Sequence, residues 1–174
     1  MATAKKKKKK AAARGPLVAA GGVVLRGAGK PLIAVVQMRR QKSWVLPKGK
    51  LRKNESILEA AKREAIEETG RDVTVHEYLG QIGYVSGGRP KVVKFWRMEA
   101  QGKPKALMDD VERVVWLPLD KAISKLSRPR EKDFLRKVGP NVLPPEPQGE
   151  ARRKPQYKTQ KSWLAALLNR LGWK

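Results

Sequence analysis

Apolar runs and one strongly polar, helix-forming stretch divide the chain, and the spacing inside each sets the element it can form. Residues 17–26 (LVAAGGVVLR), 31–39, 73–85, 91–99 and 113–117 read as strands, with Gly87-Gly88 as a hairpin turn between the two middle runs. In VVKFWRM, Val93, Phe95 and Arg97 point to one side of the strand, and Val92, Lys94, Trp96 and Met98 to the other. Residues 54–69 (NESILEAAKREAIEET) consist of strong helix formers, begin at an Asn able to cap and stop at Gly70. A second helix is expected over 120–126. A third opens at Pro129, continues through Val138 and ends at Gly139-Pro140. Strands interleaved with helices predict an α/β (α+β) domain, a mixed sheet packed between helices.

The ends of the chain have a different character. Net charge is +24, of which +7 falls in residues 1–15 and +6 in residues 150–174. The lysine run MATAKKKKKK offers nothing apolar to bury and predicts a disordered tail over 1–15. Four prolines in NVLPPEPQGEARRKP mark a basic linker, taken as 141–161. Beyond it, SWLAALLNRLGW aligns Trp163, Leu164, Leu167, Leu168 and Leu171 on one face of a helix over 162–172, capped by Ser162 and Gly172. A helix this short is marginal alone, so it docks on its own domain, lies in a membrane interface or meets a protein partner. The domain proper is then 16–140, a length suited to one core. LVAAGGVVL after the lysines is close in length to a signal-peptide core, yet Gly21-Gly22 breaks it and it reads as strand. No stretch has the length of a membrane span. Cysteine is absent, which excludes disulfides and thiolate metal sites and makes a reducing cytoplasm the simplest compartment, with a peripheral membrane association left open by the tails.

The chemistry concentrates in the spacing G-x5-E-x7-R-E-x2-E-E-x-G, from Gly49 through Glu55, Arg63-Glu64 and Glu67-Glu68 to Gly70. On a helix Glu64, Glu67 and Glu68 fall within an arc of roughly 100°. Arg63 has Glu59 and Glu67 at four-residue spacing, whereas Glu64 has only Ala60 and Glu68 there. A cation from outside the helix is the natural partner, and an all-oxygen donor set suits Mg²⁺ or Mn²⁺.

This spacing resembles the Nudix box. The resemblance implies the Nudix fold and hydrolysis of a diphosphate linkage. It also implies Glu64, Glu67 and Glu68 as metal ligands, the Lys48 backbone carbonyl as a further ligand, and Gly49, Glu55, Arg63 and Gly70 as scaffold. Two positions depart from the usual box: Arg71 stands where the family prefers an aliphatic residue, and Asn54 replaces a glycine. Asn tolerates the left-handed conformation, and Val73 can supply the apolar contact.

SWVLPKGK before the box is similar to members that act on dinucleoside polyphosphates, inositol pyrophosphates or oxidised guanine nucleotides. Arg39, Arg40, Lys42, Lys48, Lys50 and Lys94 are the cations expected along a phosphate chain, with Trp44 as a stacking surface; Tyr84, Phe95 and Trp96 can also stack on a base or fill the core. The resemblance implies that Glu64 or a later acid helps to deprotonate water; from the acidic turn Met108-Asp109-Asp110-Val111-Glu112, Glu112 is the expected base or extra ligand, with Asp109 and Asp110 as alternatives. His76, the single histidine, lies in a strand far from the box and reads as structural or exposed. The competing reading is a polyanion-binding module whose basic tails contact RNA, polyphosphate or an anionic membrane with little turnover.

Overall fold

A computed structural model describes residues 15–143. The lysine tail, nearly all of the linker and the helix expected at 162–172 lie outside the described residues. In chain order the elements are β1 (Leu17–Arg26), β2 (Leu32–Met38), β3 (Trp44–Val45), β4 (Lys48–Lys50), α1 (Ile57–Thr69), β5 (Asp72–Ser86), β6 (Arg89–Gln101), β7 (Val111–Leu117), α2 (Leu119–Lys125) and α3 (Pro129–Val142). They form one mixed sheet along the path β3-β2-β1-β6-β5, with β4 also on β1 and β7 on β2. Only β1 and β6 run parallel among the described pairs, in continuous register from Leu17↔Lys91 to Leu25↔Glu99.

Alternation along β1 and β6 gives each face of the sheet its own core. Ala19, Val23, Leu25, Val93 and Phe95 pack against Leu126 and against Phe134, Leu135 and Val138 of α3. The Phe95 and Phe134 rings sit 4.9 Å apart. On the opposite face Ala20, Val24 and Met98 meet Ala60, Ala61 and Ala65 of α1. The sheet is therefore enclosed by α1 on one side and α2 and α3 on the other, as the strand and helix pattern predicts.

Element boundaries differ in part from the sequence reading. The box helix starts from Ser56, not Asn54: the Glu59 amide donates to Ser56 Oγ (3.2 Å) and the Ser56 amide to Glu59 Oε2 (2.9 Å), a reciprocal cap that Asn54 cannot build. Asn54 itself turns left-handed, at φ 63°. α3 passes through Gly139-Pro140 to Val142, which is buried. Gly139 is there for packing rather than termination, because a side chain would collide with Leu119. The short β3 and β4 lie outside the expected strands; β3 is defined by pairing back on β2 and β4 by pairing with the distant β1, rather than by patterns of their own. No helix among the described residues is long and apolar enough to cross a membrane.

Candidate active site

Alanines at 60, 61 and 65 let α1 lie close under the sheet, and this draws the neighbouring carboxylates inward. Glu64 is 8% exposed and Glu68 3%. Glu67 stays at the rim, its side chain 26% exposed. Gly49 on β4 is the counterpart of Glu64: the space its missing β-carbon would fill holds the Glu64 carboxyl group. Gly21 on β1 has the same function for Pro47 and Lys48, which press against it. The Gly22 amide bonds the Pro47 carbonyl at 3.0 Å. The segment before the box is thereby fixed to the sheet, and the Lys48 amide reaches Glu68 Oε2 at 2.9 Å.

Arg63 gathers the rest of the box. Its guanidinium donates to both oxygens of Glu55 (2.6 and 2.9 Å), to Glu64 Oε1 (2.8 Å), to Glu67 Oε2 (2.9 Å) and to the Lys50 carbonyl (3.0 Å). Glu64 thus does find a partner on its own helix, the adjacent Arg63, where i±4 spacing offered none. Arg52 adds a bond to Glu67 Oε1 at 2.9 Å. The fork on Glu55 holds that carboxyl down at about 2, with the Arg52 amide second in effect. Arg63 is raised in turn, chiefly by Glu55.

The inner acids respond the other way. Burial raises Glu64 against the pull of Arg63. Burial pushes Glu68 up to about 8; Glu64 and Asp110 push the same way as like charges, while Lys48 opposes them. Among the described residues no group of three or more His, Cys, Asp or Glu converges as a finished metal cage, because the Glu64 and Glu67 side chains turn to Arg63. The donor set nevertheless fits a hard divalent cation. It consists of carboxylate oxygens, and two of its members are buried beside like charges that favour a counter-ion.

The other expected residues divide. Arg39 is a clamp: its side chain donates to the Asp109 carbonyl (2.8 Å) and the Val111 carbonyl (3.2 Å), and its amide to Asp110 (2.7 Å), so it anchors the acidic turn. Arg40 is exposed. Lys48 turns its ammonium away to a buried pair with Glu131 of α3, at 3.2 Å. Trp44 is fastened by both its amide and carbonyl to Ser127 (2.8 Å each), and Lys125 covers its ring at 4.2 Å. Lys94 pairs in register with Ala20, which pairs with Gly49, so it lies on the α1 face; Lys50 pairs with Ala19 on the opposite face. His76 sits 3.4 Å from Glu99, and Arg97 bonds Glu77 and Glu99, all on the β5–β6 ribbon.

Glu112, the expected base, lies at an irregular point of the β2–β7 pairing. Gln37 pairs with Arg113 and Met38 with Val111, so Glu112 is the extra residue of a β-bulge. Its carboxylate takes Lys42 Nζ at 2.9 Å, which lowers it. From the same turn Asp110 acts on Glu68 as a like charge.

The structure adds cations that the motif did not indicate. On the α3 face Lys91 is half-buried and lowered by that burial, then by Arg128 and Lys50 as like charges, with Glu131 and Glu64 opposing. A cavity of about 420 Å³ opens there, lined by Ile82, Tyr84, Val85, Arg128, Pro129, Arg130 and Glu131. Lys91 and Arg130 flank the Tyr84 ring at 5.8 and 5.9 Å. The register Tyr84↔Lys91 brings these residues together, a pairing that the hairpin at Gly87-Gly88 already contained.

Arg71 lies 5.9 Å and Arg26 4.6 Å from the Trp116 ring, so a guanidinium on an indole stands where an aliphatic contact is usual.

The chain is similar in sequence and fold to known proteins. A phosphatase of 8-oxo-(d)GTP from Mycolicibacterium smegmatis is 36% identical over 129 residues, which cover 68% of this chain and 40% of that protein. A putative mutator protein, MutT4, from Mycobacterium tuberculosis is 34% identical over 160 residues, 79% of this chain and 64% of that one. The chain thus spans less than two thirds of the length of these relatives. Among solved structures, an Ap4A hydrolase from C. elegans in a binary complex superposes with a TM-score of 0.65 at 28% identity, covering 72% of this chain and 97% of that one. The NUDIX domain model matches residues 15–138, and with the box spacing and the sheet-and-helix arrangement above it, the chain belongs to the Nudix family.

Proposed function

We propose that the protein is a metal-dependent Nudix hydrolase that cleaves a diphosphate linkage in a nucleoside or dinucleoside polyphosphate. The observation that carries this reading is the buried pair Glu64 and Glu68, beside like charge, with the Lys50, Lys91 and Arg128 cluster on the other face of the sheet, near enough that Glu64 acts on Lys91 as an opposite charge. Carboxylates in that state call for a cation, and cations in excess call for a polyanion.

Glu64, Glu67 and Glu68 would hold Mg²⁺ or Mn²⁺. When bound, such an ion supplies charge neutralisation on the phosphates and a water acidic enough to attack phosphorus. Arg63 keeps Glu64 and Glu67 oriented, and the Lys48 amide keeps Glu68 from rotating. Asp110, exposed beside Glu68, accepts the proton of the attacking water. Lys50, Lys91 and Arg128 receive the phosphate chain, and Tyr84 at the cavity mouth stacks on the terminal group. Water adds to one phosphorus, the bridging P–O bond breaks, and the leaving phosphate departs with its negative charge matched by these cations.

The relatives' names suggest two substrates within this class: dinucleoside tetraphosphates and 8-oxo-guanine nucleotides. The 36% identity to a phosphatase of the second favours it as the alternative reading. Turnover of diadenosine tetraphosphate, 8-oxo-dGTP, dGTP and an inositol pyrophosphate with Mg²⁺ tests the proposal. No cleavage of any of them would overturn it. Contact of the cationic ends with RNA, polyphosphate or an anionic membrane is a separate proposal that rests on charge alone, and salt-dependent binding to RNA or to anionic vesicles tests it.

A further inference from the structure

Lys48 presents two donors to two different acids. Its backbone amide bonds Glu68 Oε2 at 2.9 Å. Its ammonium points the other way, 3.2 Å from Glu131 Oε1 and 3.2 Å from the Leu46 carbonyl, with the two charged side chains only 7% and 1% exposed. Glu131 uses its second oxygen to accept the Leu46 amide at 2.8 Å. Arg128 approaches the first oxygen no closer than 3.9 Å. One carboxylate in the first turn of α3 therefore holds both the backbone and the side-chain charge of the segment that leads into the box.

We propose that Glu131 is a positioning residue of the box site: it retains the Lys48 ammonium on the α3 face, so that only the Lys48 amide, and not the ammonium, contacts Glu68. The inference rests on the reading of Glu64, Glu67 and Glu68 as cation ligands. A lysine ammonium within reach of a buried carboxylate is a competitor for that carboxylate, because it satisfies the same charge that a divalent ion would. Lys48 already acts on Glu68 as an opposite charge from where it is held. Without Glu131 the ammonium is left buried and unpaired, and Glu68 is an acid that its backbone already touches. Gly21 admits no movement of Pro47 and Lys48 toward β1, so the side chain, not the backbone, is what would move.

The test is binding of Mn²⁺ to the full chain, measured by electron paramagnetic resonance titration without substrate, in wild type, Glu131→Gln and Glu131→Gln/Lys48→Met. The glutamine keeps an acceptor for the Leu46 amide and removes only the charge. Glu131→Gln is expected to weaken Mn²⁺ about tenfold, at the low end for residues that act through a ligand. The double variant, which has no free ammonium, is expected to return within about threefold of wild type. A merely structural ion pair would recover stability in the double variant but, among variants that remain folded, would leave Mn²⁺ affinity alike in all three. Wild-type affinity in Glu131→Gln, or a double variant no better than the single, overturns the proposal. If the single variant does not fold, Glu131→Asp, which draws the carboxylate back from the ammonium, is measured in its place: weaker Mn²⁺ binding that Lys48→Met restores supports the proposal, and unchanged affinity overturns it. Glu68→Gln is the reference for the site itself. If it binds Mn²⁺ as wild type does, the ligand reading fails, a result distinct from failure at Glu131. Asp133→Asn, on the same helix and paired with Arg136, is expected to match wild type.

Discussion

The carboxyl group of Glu64 fills the space that a side chain on Gly49 would need. Backbone and catalytic helix are therefore fitted to each other across β4. Gly49→Ala is expected to displace Glu64 and lower kcat by about a hundredfold or more, with a stability loss of about 1–3 kcal/mol from overpacking. A kcat within threefold of wild type would show that Glu64 can move without consequence.

Glu68→Gln separates activity from stability. The amide keeps an acceptor for the Lys48 N–H, so the fold is retained, while turnover falls by orders of magnitude. The folded-state pKa of Glu68, about 8, lies above the ordinary carboxylate value of 4.5, so the folded protein favours the protonated form. Stability from this source is complete below about pH 4.5 and is lost as pH rises through about 8. Metal-free Glu68→Gln is then expected to melt at or above the wild-type temperature at pH 9. A lower melting point there would contradict the burial argument.

Glu55 gives the opposite limb. Its folded-state pKa is depressed to about 2 by the Arg63 fork, so its contribution is present above about pH 4.5 and disappears as pH falls toward 2. Urea midpoints measured from pH 5 to pH 2 are expected to fall less steeply in Glu55→Gln than in wild type. Parallel curves would remove Glu55 from the acid limb.

How much of this was legible in advance depends on whether a residue's partner is near it in sequence. The box helix, its glutamate face and its stop at Gly70 are local, and Gly70 does adopt φ 65°. Strands β1, β2, β5 and β6 followed from apolar alternation. Lys48 could not be read correctly, because Glu131 lies 83 positions away and turns a surface lysine into a buried one. The surroundings of Glu112 were hidden for a different reason. A bulge adds one residue and redirects the acids around it, and alternation carries no sign of it. Gly139-Pro140 read as a stop because chain punctuation cannot be told from close packing without the facing residue, here Leu119.

The bulge leads to a direct comparison. Asp110→Asn is expected to lower kcat about tenfold to a hundredfold, and Glu112→Gln, which loses only an exposed bond to Lys42, less than threefold. The reverse order would restore Glu112 as the base.

Lys91→Ala and Arg128→Ala are expected to raise KM for diadenosine tetraphosphate more than fivefold while kcat changes less than threefold, as loss of ground-state contact does. Steady-state kinetics in low and moderate salt would check this, and an unchanged KM would remove the cluster from the substrate path.

The parallel pairing of β1 with β6 has a further consequence during synthesis. Strand β1 leaves the ribosome well before its parallel neighbour, which is complete only at Gln101. A nascent chain that has emerged only through Gly70 carries every box residue but has no partner strand beside β1 and no α3 behind Leu46. Until that strand and α3 emerge, the apolar face of β1 and two clustered glutamates are exposed together. This interval is when the chain is most open to aggregation and to capture by a chaperone, and translation pauses between codons 70 and 131 would lengthen it.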